Sequence, residues 1–83
     1  MRYRFQVENI EAAKGKLPRE ERSDLVRYFS EASVEAEDGL KAGRILARKA
    51  AGRLSRDSSP ERLWITLPDY GNCQLTVRVY AED

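Results

Sequence analysis

The sequence LWITLPDYGNCQLTVRVY, residues 63–80, decides the fold because it predicts a β-hairpin. Apolar residues alternate with polar or aromatic ones on both sides of a turn, and this period of two is that of strands with one buried face. The inward positions are Leu63, Ile65, Leu67, Cys73, Leu75, Val77 and Val79. The segment between the two strands contains Pro, Asp, Gly and Asn, which favour a turn.

A third strand is predicted at the start of the chain. Aromatic or β-branched residues occupy every second position from Tyr3 to Val7, and polar residues lie between them. This pattern is typical of a half-buried strand. Residues 8–16 allow two interpretations, a single helical turn over residues 10–14 or a loop.

Two helices are expected between these strands. Pro18 suits the first turn of a helix, where its missing N–H costs nothing. The apolar positions of this helix are Leu25, Phe29, Ala32 and Ala36. Their helical spacing predicts an amphipathic helix to about Asp38. Gly39 marks a break, and Asp38 is expected to cap a second helix over residues 40–56. Its inward side would carry Leu40, Gly43, Leu46, Ala47, Ala50 and Leu54.

The order of these elements predicts an α+β fold, a two-layer sandwich with the order β-α-α-β-β. Three mainly antiparallel strands would form the sheet, and both helices would cover one face of it. Residues 1–83 are expected to form a single domain. A helical pair beside a detached hairpin is the alternative, and the sequence does not reveal the strand order.

Composition restricts the classes of function. The chain has 83 residues, a net charge of +1, no histidine and one cysteine, Cys73. No run approaches the roughly 20 apolar residues of a membrane span, and no signal peptide is evident. A cytoplasmic protein without a cofactor, a metal site or a membrane partner is therefore expected.

Charge is segregated along the chain. Residues 40–56, here called the basic stretch, contain six cations and no acid, whereas residues 20–38 contain seven acids and two arginines. Ile45 is an apolar residue within this cationic surface. The predicted partner-binding residues are Lys41, Arg44, Ile45, Arg48, Lys49, Arg53 and Arg56. An apolar residue surrounded by arginines resembles an interface anchor with a charged rim.

Three interpretations of the basic stretch remain open. It binds a protein, either a different one or the acidic surface of a second copy in a homodimer. It binds nucleic acid through phosphate contacts, although a nearly neutral chain differs from typical basic domains. It is otherwise a solvated surface.

A secondary site is predicted on the sheet face turned away from the helices. Its residues are Arg2, Arg4, Trp64, Arg78 and Tyr80. Arginines beside aromatic rings suit base stacking or a protein hot spot. The alternative is an ordinary solvent face with cross-strand pairs, such as Trp64 beside a threonine.

Catalysis has little support in the sequence. Without histidine, the usual Ser, Cys and zinc arrangements are excluded, and Cys73 falls on the inward side of its strand. The opening MRYRFQVENIEAAKGKLPREERSDLV, residues 1–26, resembles the strand and helix start of small toxins of the RelE/ParE superfamily. The resemblance implies a ribonuclease toxin or a toxin–antitoxin partner. Separately from it, a ribonuclease built from Arg, Lys, Glu and Tyr is chemically possible without histidine, and Arg78 and Tyr80 keep that possibility open. The last strands contain only a fragment, Asp69-Tyr70-Gly71, of the Gly-Asp-Tyr-Arg pattern of those toxins, so the family remains open.

The sequence thus favours a small non-catalytic interaction module. By analogy with phage and mobile-element proteins of this size and charge, it would inhibit or regulate a nucleic-acid-handling complex. Direct nucleic-acid binding is the first alternative, and a ribonuclease toxin or toxin–antitoxin partner is the second.

Overall fold

The computed structural model describes residues 1–13, 15 and 17–82. Its elements are β1 (Arg2–Glu11), α1 (Arg19–Glu31), β2 (Ser33–Glu35), α2 (Gly39–Lys49), β3 (Arg53–Leu54), β4 (Arg62–Leu67), a 3₁₀ turn (Pro68–Tyr70) and β5 (Cys73–Glu82). The strands form one antiparallel sheet in the order β2-β1-β5-β4-β3. The predicted α+β class is confirmed, but the prediction of three strands is wrong because two short edge strands complete the sheet.

The hairpin prediction is confirmed. β4 pairs with β5 from Leu67 opposite Cys73 to Arg62 opposite Arg78. Gly71 and Asn72 have φ angles of 66° and 57°. Glycine and asparagine tolerate this left-handed conformation better than other residues, which explains their place in the turn.

β1 extends beyond the predicted seven residues. Its pairing with β5 shifts register between Val7 and Asn9, as in a β-bulge. The extra residue switches the inward side from odd to even positions, so Ile10 is buried and lies opposite Leu75. The helical turn over residues 10–14, one of the two interpretations of this segment, is wrong where the structure describes it, because Ile10 and Glu11 belong to the strand; Lys14 lies outside the described residues.

The first helix is shorter than predicted. α1 ends at Glu31, and Ala32 already has an extended backbone with ψ of 143°. Residues of β2 pair with Arg2–Arg4 of β1, and Met1 and Ala36 exchange hydrogen bonds beyond them. Burial of Val34 and these backbone bonds outweigh the helical spacing of Ala32 and Ala36.

The second helix begins where predicted and ends early. Oδ1 of Asp38 accepts a hydrogen bond from the backbone N–H of Lys41 at 2.8 Å, which confirms the cap. After Lys49 the chain turns through Ala51, whose φ is 56°, and Gly52 N donates to Ala47 O at 2.7 Å. The prediction of a helix over residues 40–56 is therefore wrong for residues 50–56.

The core lies between the sheet and both helices. Its largest fully buried side chains are Phe5, Phe29, Leu46, Leu63, Ile65, Leu67, Cys73, Leu75 and Val77. All belong to one apolar cluster, so the alternative of a helical pair beside a detached hairpin is wrong. In the part of the chain that the structure describes, no helix is long and apolar enough to cross a membrane.

Candidate functional site

The exposed side of α2 carries most of the predicted binding residues. The buried side of this helix contains Ala42, Gly43, Leu46 and Ala47. The exposed side contains Lys41, Arg44, Ile45, Arg48 and Lys49, here called the α2 face. Arg53 lies on β3 and Arg56 in the turn after it, so the structure separates these two residues from the helix.

Among the described residues, five of the six cations of the basic stretch have no acidic partner. Lys41 Nζ lies 2.8 Å from Glu37 Oε2, an exposed pair between residues four apart. Within the described residues, no carboxylate lies within 4.0 Å of the charged groups of the other five cations. Those five are Arg44, Arg48, Lys49, Arg53 and Arg56. The side chain of Ile45 is 38% exposed among them.

A cavity of about 410 Å³ brings two separated arginines together. Arg44 of α2 and Arg56 of the turn after β3 both line it. The remaining lining residues are Leu40, Leu54, Ser55 and Ser58. Both arginines are predicted binding residues, but the sequence pattern places them on one helix. Their convergence depends on the chain turning back after Lys49.

A groove between α1 and α2 was missed by sequence analysis. Its main cavity measures about 610 Å³, and a second cavity of about 290 Å³ shares Tyr28 and Lys49 with it. The main cavity is lined by Glu21, Asp24, Leu25, Tyr28, Lys49, Ala50, Ala51, Asp69 and Tyr70. The position of Tyr28 on the flank of the predicted helix was the available signal. The contribution of Tyr70 depends on tertiary structure alone.

The predicted secondary site lies on the sheet face away from the helices, but two of its arginines already contact polar groups of the same chain. Arg4 donates to the backbone oxygen of Ser30 at 3.0 Å and lies 3.7 Å from Glu82. Arg2 lies 3.7 Å from Glu35. Since α1 has no basic residue in its last turn, Arg4 supplies the cation that favours a helix C-terminus. Arg2 and Arg4 thus connect β1 to neighbouring elements.

The aromatic part of the secondary site is also partly structural. Trp64 is half-buried and lies directly opposite Thr76, which is 9% exposed. This is the cross-strand pair that the solvent-face alternative describes. Tyr80, at 47% exposed, and Arg78 remain open on β5.

Arg62 is a further residue of the open face. It lies opposite Arg78 in the β4–β5 register, and its Nε lies 2.9 Å from Glu8 Oε1. Opposed like charges destabilise a sheet, and this ion pair offsets the repulsion. The alternation of β4 places Arg62 on the side of Trp64, a signal that the sequence analysis did not use.

Little in the site favours nucleophilic or metal chemistry. Burial raises the pKa of the Cys73 thiol, while the positive charge of Arg22 acts in the opposite direction. A buried neutral thiol is a poor nucleophile. Among the described residues, no group of three His, Cys, Asp or Glu side chains could hold a metal ion.

No protein-family model, curated protein or solved structure matches the chain. Its function is therefore inferred from the geometry and charge of its surfaces.

Proposed function

We propose that this chain is a small non-catalytic module that docks on a protein partner through the α2 face. The observation that supports this proposal is the position of Ile45 among Arg44, Arg48 and Lys49, three cations that have no acidic partner among the described residues. Interfaces combine a desolvated apolar anchor with a charged rim in this way. The complementary partner surface would be acidic around an apolar depression.

The surroundings of α2 favour a protein over a nucleic acid. Glu21 and Asp24 of α1 line the groove that Lys49 also lines. A phosphate backbone that crossed both walls of this groove would be repelled by these carboxylates. A folded protein with an acidic patch can contact α2 while avoiding α1. We extend the proposal to an inhibitor or regulator of a nucleic-acid-handling complex, which rests on analogy of size and charge segregation.

The experiment is affinity capture from nuclease-treated lysate with quantitative mass spectrometry. The variant Arg48→Glu/Lys49→Glu reverses two charges of the α2 face, and Ile45→Ala removes its apolar centre while the charges stay. Arg19→Glu/Arg27→Glu makes the same change of net charge on exposed positions of α1 and is the matched control. Circular dichroism of each variant verifies the fold.

We expect one protein to be enriched by the wild type and the control and lost from both α2 variants. The same protein should bind the purified chain directly in a calorimetric titration. Retention of that protein by Arg48→Glu/Lys49→Glu would overturn the proposal. Capture from a parallel untreated lysate that is absent from the nuclease-treated one would instead support direct nucleic-acid binding.

A further inference from the structure

The cavity between α2 and the loop after β3 has an apolar floor and a polar rim. Leu40 and Leu54 are partly buried and pack against the core. Arg44, Arg56, Ser55 and Ser58 provide the polar lining. The volume of about 410 Å³ is within the range of small-molecule sites.

The two arginines lie at the same cavity, and the described residues provide no neutralising side chain there. They come from separate elements, and neither has a carboxylate within 4.0 Å in the described part of the chain. Asp57 follows Arg56 in the same turn but does not line the cavity. Two guanidinium groups that share a cavity repel each other, and an anion between them would remove this repulsion.

The two serines add hydrogen-bond donors. Ser55 Oγ accepts from Asp57 N at 3.1 Å, and Ser58 Oγ accepts from Trp64 N at 2.9 Å. Each hydroxyl acts only as an acceptor among the described residues, so its own proton is available to a ligand. The loop itself is held by Ser55 N donating to Trp64 O at 2.8 Å. The side chains of the rim therefore offer donors on a supported loop.

We propose that this cavity binds a phosphate monoester, with the phosphoryl group between Arg44 and Arg56 and the apolar part of the ester against Leu40 and Leu54. Guanidinium groups form paired, charge-assisted hydrogen bonds to phosphate oxygens, and serine hydroxyls complete such a donor set. The leucines distinguish an ester with an apolar substituent from inorganic phosphate. The inference goes beyond the docking proposal and shares only Arg44 with it.

The test is a titration of the ¹⁵N-labelled protein with inorganic phosphate and with phenyl phosphate, at constant ionic strength set with chloride. We expect saturable shifts of the amides of residues 55–58 and of the Nε–H groups of Arg44 and Arg56. A dissociation constant on the order of 1 mM is expected for phosphate. Phenyl phosphate should bind several-fold more tightly because its ring buries apolar surface.

Variants and pH give two further readouts. Arg44→Ala/Arg56→Ala should weaken binding of phenyl phosphate at least tenfold, whereas Arg53→Ala on β3 should leave it unchanged. The affinity for phenyl phosphate should fall as pH decreases from 7.5 to 5, because its phosphoryl group loses its second negative charge with a pKa of about 6. Chloride alone should cause no saturable shift.

Shifts that do not saturate, or that persist unchanged in Arg44→Ala/Arg56→Ala, would overturn the phosphate proposal. Equal affinity for phosphate and phenyl phosphate would overturn the role of the leucines. Arg56→Ala should lose binding of the phosphate ester and keep binding of the protein partner. Arg48→Glu/Lys49→Glu should lose binding of the protein partner and keep binding of the ester. The two proposals can therefore fail separately.

Discussion

At the scale of single residues, close packing decides what a side chain can do. Cys73 lies on the inward side of β5 with no exposed surface, and burial raises the pKa of its thiol. Gly39 and Gly43 lie where α2 approaches the loop before β4 and the strand itself. A Cβ atom at Gly43 would lie 2.6 Å from Cδ2 of Leu63, and one at Gly39 would overlap the carbonyl oxygen of Pro60.

The thiol of Cys73 should be protected in the native protein. We expect alkylation by iodoacetamide at pH 8 to be at least about 100-fold slower than in urea, because only the exposed thiolate reacts.

The stability of the fold should also decrease at alkaline pH because of Cys73. The raised pKa makes thiolate formation costlier in the folded state, so the free energy of unfolding should fall as pH rises above about 8.5. Urea unfolding of the wild type and of Cys73→Ala at pH 7 and 10 measures this pH-dependent part of the free energy of unfolding, which the variant should lack. Fast alkylation of the native protein would contradict the predicted protection of the thiol.

Gly39→Ala should be more damaging than Gly43→Ala. The added methyl group meets a rigid backbone oxygen of Pro60 in the first variant and a flexible leucine side chain in the second. Overpacking should lower the free energy of unfolding by about 1–3 kcal/mol in Gly39→Ala. In Gly43→Ala the better helix propensity of alanine, about 1 kcal/mol, offsets part of the strain. Chemical denaturation compares the two, and equal stability of Gly39→Ala and wild type would refute the expected overlap.

At the scale of elements, helix ends determine where the cations of the basic stretch lie. Asp38 starts α2 with a side-chain cap, and the left-handed Ala51 ends it after Lys49. This end turns the chain back, so Arg53 joins β3 beside β4 and Arg56 returns towards Arg44. One residue in a left-handed conformation thus converts a linear run of cations into two separate surfaces.

The cap of α2 should contribute measurably to stability. Asp38→Ala removes the acceptor for the N–H of Lys41 and should lower the free energy of unfolding by about 1 kcal/mol, whereas Asp38→Asn should retain most of it. Glu37→Gln is the matched control, because it removes only the exposed pair with Lys41, which contributes less than about 1 kcal/mol. The measurement is urea denaturation; a larger loss in Glu37→Gln than in Asp38→Ala would show that the ion pair, and not the cap, stabilises this end.

At the scale of the whole molecule, charges of opposite sign lie close together and the net charge is only +1. Lys49 of the α2 face lines the groove together with the carboxylates of Glu21 and Asp24. A protein partner can match such a surface locally, whereas a uniformly charged duplex cannot avoid the acids. The same distribution permits contact between copies, because both signs are present on one chain.

Duplex DNA should bind only weakly. If all five cations of the basic stretch that lack an acidic partner in the described part of the chain contacted phosphates, affinity would fall roughly 500-fold between 50 and 200 mM salt. We expect no saturable binding at 200 mM salt in fluorescence anisotropy with labelled duplex and purified protein. Arg53→Glu/Arg56→Glu is the variant that would reduce any binding seen at 50 mM. Micromolar affinity at 200 mM would contradict protein docking as the main role of the α2 face.

Local patterns in the sequence are sufficient for much of the fold. The alternation on either side of Gly71 predicts the hairpin, the position of Asp38 predicts the start of α2, and the inward placement of Cys73 follows from its strand. These features depend on neighbours within a few residues, whose preferences the pattern records directly. The α+β class and the residues of the α2 face follow from the same patterns.

The remaining features depend on partners that are distant in sequence. Ser33–Glu35 leave the helical pattern because β1 offers them backbone hydrogen bonds, and Ile10 is buried because a bulge realigns β1 with β5. The convergence of Arg44 with Arg56 requires the chain to reverse after α2. Pairing and burial can outweigh local propensities of a few tenths of a kcal/mol per residue. Tertiary structure therefore sets where the elements end and which charges meet.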